Sequence, residues 1–144
     1  MTSALSAYAT LLKIGDGGGP EVFTTIAEVV NIGGPSLSLD PIDVTNHSSP
    51  SAWKEFVAGL KDGGEVSFEV NFIPTEATHK NAAGGLLNDL DDRTLRNFEL
   101  IFPDSGATKW TFAAFVTGFE VAAPVDGKLS ASVTLKLSGV PVIA

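Results

Sequence analysis

Cysteine is absent from this 144-residue chain, so nothing in it points to a disulfide scaffold, a thiolate zinc site or a thiol nucleophile. Basic residues are scarce. Nine Lys and Arg stand against 17 Asp and Glu, a formal net charge of −8, and the basic residues are scattered, which argues against general nucleic-acid binding through phosphate contacts. No window approaches the run of about 18 to 20 apolar residues that crosses a bilayer, and the first residues carry no basic, continuously apolar leader. The expectation is a soluble chain made in the cytoplasm, with no membrane segment. The two histidines, His47 and His79, sit among polar loop or helix-start residues and read as surface or capping groups rather than as a general base or metal ligand. No nucleophile elbow, Cys/His pair or metal motif is present. The glycine run Gly15-Asp-Gly-Gly-Gly-Pro lacks the Gly-Lys-Ser/Thr ending of a phosphate loop and reads as a mobile turn. Asp40 and Asp43 lack the glycine-centred oxygen loop of a calcium site. The reading is therefore no enzyme, no cofactor and no metal.

What is present is a supply of β-formers and turns. Apolar residues make up 44% of the chain, with 15 Gly and 8 Pro, enough for one β-rich domain over residues 1–144. Residues 1–9 read as a flexible arm and 140–144 as an apolar tail. Alternation is clearest from Glu65 to Phe72 and from Leu129 to Leu137, each a half-buried strand. Further strands are expected at Leu11–Ile14, at Glu21–Ile32 as one long element with two apolar faces, and at Ser36–Thr45, where Pro41 marks an edge or bulge. Two more are expected at Leu95–Phe102 and at Lys109–Val121. The last has a possible bulge at Ala113-Ala114 and places Phe115 and Phe119 on one face. Trp53, Phe56 and Leu60 at near-helical spacing after Pro50 suggest one or two helical turns inside a long structured loop closed at Gly59. Thr75 as N-cap and Leu86, Leu87 and Leu90 as an apolar face suggest a helix between residues 76 and 90, weakened at Gly84-Gly85. Asp89, Asp91 and Asp92 at its end read as exposed or facing a basic patch on a neighbour. The sum is a mainly β fold, a β-sandwich or small barrel of about seven strands with one flanking helix and a long structured loop.

Strands with two apolar faces and an uncovered apolar tail imply more apolar surface than one copy hides, and so an oligomer. The interface candidates are Asp40, Pro41, Asp43 and His47 on the proline-broken edge and its loop, Trp53 and Phe56 as aromatic anchors, and Val140, Val142 and Ile143 in the tail. Trp53 and Phe56 read equally well as core. Glu65, Glu69 and Glu99 lie on the polar faces of their strands and read by that pattern as an ordinary solvated sheet face.

The succession Phe23-Thr-Thr-Ile-Ala-Glu-Val, Asp40-Pro-Ile-Asp-Val-Thr-Asn-His-Ser-Ser, Trp53-Lys-Glu-Phe, Gly59-Leu-Lys-Asp-Gly-Gly, Pro103-Asp-Ser-Gly and Ala123-Pro-Val-Asp-Gly-Lys-Leu-Ser-Ala-Ser-Val resembles the major tail tube proteins of long-tailed bacteriophages. The same fold serves contractile tail tubes and type VI secretion tubes. The resemblance runs from about Leu11 to Gly139. It implies a structural virion protein, assembled in the host cytoplasm, whose homohexameric rings stack into the hollow tube through which double-stranded DNA passes without specific binding, with Glu65, Glu69 and Glu99 as the candidates for an acidic lumen lining. Its implied partners are other copies of itself, a tail tip or initiator, a tape measure and a tail terminator. The reading in a different class is a non-catalytic β-sandwich module, binding carbohydrate or decorating a virion.

Overall fold

The computed structural model describes residues 2–144. Its centre is the pair of strands that alternate most cleanly, β6 (Glu65–Asn71) and β9 (Ser130–Leu137), which run antiparallel. Val66 faces Leu135, Phe68 faces Val133 and Val70 faces Ala131, so one face of the pair is wholly apolar and buried. β8 (Lys109–Ala122), β7 (Arg96–Ile101) and β1 (Leu11–Gly15) continue the sheet. On the same face Phe98 stacks on Phe112 with ring centroids 5.9 Å apart. Fully burying a side chain such as Phe98 is worth about 1.5 to 3 kcal/mol, and a one-residue slip of any strand would expose its whole apolar set.

The segment Glu21–Ile32 is not the single strand its composition suggests. It breaks at Ala27-Glu28, where Glu28 takes φ 59°. Before the break β2 (Phe23–Thr25) pairs with β1; after it β3 (Val29–Gly33) pairs with β6. The segment thus joins the two ends of the sheet order β2-β1-β7-β8-β9-β6-β3 and rolls the sheet into a small barrel. Ile26 is buried at the crossing. Apolar residues on both sides of this segment reflect a change of partner, not a strand covered on both faces.

The β8 bulge lies between Val116 and Gly118 rather than at Ala113-Ala114. It reverses the alternation, so Phe115 faces outward opposite Lys136 while Phe119 lies opposite Val133 and packs edge-on against Phe72 at 5.5 Å. The helix is also shorter than expected. Only α1 (Leu86–Asp91) forms, with Gly85 rather than Thr75 at its N-cap. Gly84 takes φ 89° and a β-carbon on Gly85 would collide with the Lys80 carbonyl oxygen, so the chain upstream stays in separate turns. Phe56–Asp62 is a strand, β5, not helix; it pairs with β4 (Ser38–Asp43) in a separate two-stranded sheet, and the helical element shrinks to a 3-10 turn at Pro50–Ala52. With β10 (Val142–Ile143) on the edge of β8, ten strands among the described residues replace about seven. The mainly β class with one flanking helix stands.

The antiparallel order gives the barrel two unlike ends. Around one lie the turn at residues 26–28, the glycine loop and α1. Here two residues read as exposed prove buried. His79 accepts a hydrogen bond at Nδ1 from the Ile73 N–H (3.3 Å), and its Nε2 bonds the Ala27 carbonyl oxygen (2.8 Å). It holds the crossing turn in place beside Thr78, whose hydroxyl accepts from the Ala27 N–H at 3.1 Å. Asp89 accepts from Arg96 Nε at 2.9 Å, and burial, which strips water from the carboxylate, raises its pKa despite that cation. Arg96 also donates from Nη1 to the Asp16 carbonyl oxygen at 3.0 Å. The helix, β7 and the glycine loop are therefore tied through one guanidinium. The glycine loop is itself closed by Asp16 Oδ1, which accepts from Gly18 and Val22.

Candidate assembly interface

At the other end of the barrel the chain leaves β3, runs out along β4 and returns along β5 to enter β6. Pro41, lacking a ladder donor, sits where the register shifts between Leu39 and Pro41, as its chemistry demands. Two residues of β5, Gly59 and Leu60, stand against Asp40 there, so β4 keeps its alternation: Leu39, Pro41 and Asp43 share one side with Phe56, Ala58 and Lys61, while Ile42 and Val57 lie on the other. Both faces therefore carry apolar side chains, and neither is covered: every residue of β4 is exposed, as is all of β5 except Gly59. An isolated two-stranded sheet is marginally stable in water. This one is held at its base by Asp62, which accepts from the Gly64 N–H at 2.8 Å and from Lys136 Nζ at 3.3 Å; these bonds lower its pKa.

The loop at the far end is ordered by its own polar groups. Asp43 Oδ1 accepts from the Thr45 N–H (2.9 Å), and the Thr45 hydroxyl together with this N–H lowers its pKa. Thr45 Oγ1 accepts from the Glu55 N–H (2.8 Å), and Ser49 Oγ donates to Glu55 Oε2 (2.6 Å). The result is a polar frame that displays Trp53, 75% exposed, with exposed His47 in the same loop. Phe56 and Leu60 are 54% and 86% exposed. Trp53 and Phe56 are thus not core residues. Asp40 lies at the bulge, exposed.

The tail candidates come close to the base of this hairpin. Val142 and Ile143 pair with Thr111 and Trp110, Val140 stands exposed, and between tail and hairpin base lies a cleft of about 510 Å³ lined by Leu37, Leu39, Lys61, Val140, Pro141 and Ile143. Trp53, Phe56 and His47 do not line it. Leu37, Leu39, Ile42, Val57 and Leu60 belong to the same exposed apolar set and were missed as candidates; the apolar run Phe56-Val57-Ala58 was the signal, masked by the helical spacing of the aromatics.

The three acidic candidates share the outward side of the sheet but not one environment. Glu65 lies opposite Lys136. Glu99 lies opposite Lys13 and 4.0 Å from Lys109. Glu69 lies opposite Ser132, and Ser132 opposite Glu120, a row that engages no ion pair among the described residues. Glu120 joins this face only because of the β8 bulge, so alternation alone does not find it.

The family model described as lambda phage tail tube protein matches residues 6–144. Among solved structures, the chain is similar to the tail of an empty gene transfer agent particle computed with C6 symmetry, with TM-score 0.75 and 21% identity over 98% of this chain and 99% of that one. It is also similar to a chain of the sheath/tube terminator of the extracellular contractile injection system PVC, with TM-score 0.71 and 13% identity over 100% and 99%. The SPP1 tail tube gives TM-score 0.68 and 9% identity over 98% and 80%. At these identities the structural likeness speaks for the fold alone. No curated protein sequence matches. Because the family model spans nearly the whole chain, this chain belongs to the lambda phage tail tube protein family.

Proposed function

We propose that six copies of this chain, each acting as one domain, close into a ring, and that rings stack into the hollow tube of a virion tail. The observation that carries the reading is the β4–β5 hairpin, whose two sides both expose apolar residues. Such a surface is stable only when neighbours cover it, and head-to-tail contacts of this kind close into rings or run on as filaments. The sixfold count is supported by the C6 symmetry of the gene transfer agent tail. Trp53, Phe56, Pro41, Asp40, Asp43 and His47 would meet one neighbour, and Val140, Val142 and Ile143 another. A tail tip or initiator, a tape measure and a terminator would bound the tube, assembled in the host cytoplasm.

Double-stranded DNA would pass through the lumen. A duplex carries one phosphate charge per roughly 1.7 Å, so a basic wall would hold it cumulatively and an acidic one would not. Glu65, Glu69 and Glu99 are the proposed lining, with Glu69 the most exposed to that test because no lysine offsets it. Tails carrying Glu69→Lys should form and then release DNA more slowly. The architecture itself is tested by negative-stain electron microscopy of the concentrated protein, with light scattering beside it. Rings or tubes are expected. Monomers that persist after addition of preformed tail tips, and that bind a glycan saturably, would instead favour a binding module.

A further inference from the structure

Residues 2–9 cross the same end of the barrel from which the hairpin leaves. There Leu5, Ser6 and Ala7 line a cleft of about 560 Å³ together with Phe102, Trp110 and Ala144. The arm lies over this cleft without being built into the fold. Its hydrogen bonds among the described residues are all local: Ala4 N–H to Thr2 Oγ1, Tyr8 N–H to Ser6 Oγ, and both Thr10 N–H and Thr10 Oγ1 to the Ala7 carbonyl oxygen. Leu5 is 68% and Tyr8 88% exposed, so the arm's largest apolar side chains are mostly unburied on their own subunit. At its root Ala9 holds φ 73°, in the left-handed region that a β-carbon disfavours.

We propose that this arm is exchanged between copies: in the assembled tube the arm of one copy lies across the Phe102–Trp110 cleft of a neighbouring copy. The inference rests on the tube reading above. The occupant is argued from the structure itself, since the arm already lines the cleft of its own chain, and contacts made within one copy are equally available between two. Release also lets Ala9 return to an ordinary extended conformation and frees Leu5 and Tyr8 for burial between subunits. Fully extended, residues 2–9 reach roughly 26 Å, enough to cross a subunit boundary.

The absence of cysteine makes the test clean. Ser6→Cys protein and Ala144→Cys protein, each with one thiol at a cleft-lining position, are mixed, concentrated and treated with a short bismaleimide while light scattering follows assembly. Exchange yields covalent dimers containing one copy of each variant, well in excess of dimers from either variant alone. Assembly without such dimers, while the S6C/A144C double variant links only within single chains, overturns exchange and leaves the tube reading standing. Protein that stays monomeric and unlinked at every concentration, also after addition of preformed tail tips, overturns both. At the hinge, Ala9→Gly removes the left-handed penalty of the closed arm and should lower the mixed-dimer yield about fivefold. Ala9→Pro excludes positive φ and should raise it. Equal yields from the two hinge variants would remove Ala9 from the mechanism.

Discussion

The two ends of this barrel solve opposite problems with the same chain. At the α1 end, polar groups are buried and paired within the subunit: His79 and Thr78 on the crossing turn, and Asp89 on Arg96. At the hairpin end, apolar groups stand in water, and the polar bonds present only frame them, as Glu55, Thr45 and Ser49 frame Trp53. The difference teaches where stability and association reside. A buried hydrogen bond is costly to leave unmade, so the α1 end holds one conformation by itself. Exposed apolar area gains nothing until another surface covers it, so the hairpin end contributes to assembly rather than to the fold of one copy.

Substitutions at the two ends should therefore separate. The largest effect on the isolated subunit is expected from Arg96→Met, which strands the buried Asp89 carboxylate and should cost about 3 to 5 kcal/mol in denaturant unfolding. A change below 1 kcal/mol would mean that Asp89 is already neutral and the ion pair is not what ties the helix to β7. Next, Trp53→Ala should leave monomer stability within about 0.5 kcal/mol and cost roughly 2 kcal/mol or more per contact in assembly, read as a raised critical concentration. Loss of the β circular dichroism signal would instead place Trp53 in the fold. His79→Leu, which orphans the Ile73 N–H and the Ala27 carbonyl, should cost about 1 to 3 kcal/mol and speed hydrogen exchange at residues 26–28 ahead of the hairpin. Uniform exchange would erase the distinction between the ends.

The smallest effect is with pH. Asp16, Asp43, Asp62 and Asp104 have lowered pKa values, chiefly because Gly18, Thr45, Gly64 and Thr108 respectively donate hydrogen bonds to them. Their contribution is present above the unfolded value of 3.8 and is lost as pH falls through the folded values. Asp89 runs the other way. Its folded pKa is raised by burial, so its contribution is present below 3.8 and is lost as pH rises through the folded value. Chemical denaturation from pH 7 to 3 should show a shallower acid loss in the wild type than in Asp89→Asn; coincident profiles would remove Asp89 from the balance.

Much of this protein could be read from local pattern. β6 and β9 were legible because a period of two with one apolar face has a single burial solution. The proline-marked bulge at Pro41 followed from a missing donor. The family resemblance rested on the order of such strands and turns. Other features were hidden in the same letters. Phe56 and Leu60 fit a helix as well as a strand, and only pairing of their segment with Ser38–Asp43 decided between the two. His79 and Asp89 looked like surface groups because burial of a polar residue depends on partners distant in sequence, Ala27 for one and Arg96 for the other.

What the sequence by itself determined, then, is the β class, the register-setting strands and an excess of apolar surface over what one copy can bury, all consequences of chemistry within a few residues. The tertiary structure alone decided that residues 23–33 split between two sheet edges and close the barrel, that the β8 bulge turns Phe119 inward, and that uncovered apolar groups gather at the hairpin end. These outcomes depend on which distant strand supplies each backbone partner, a competition settled only when the whole sheet forms.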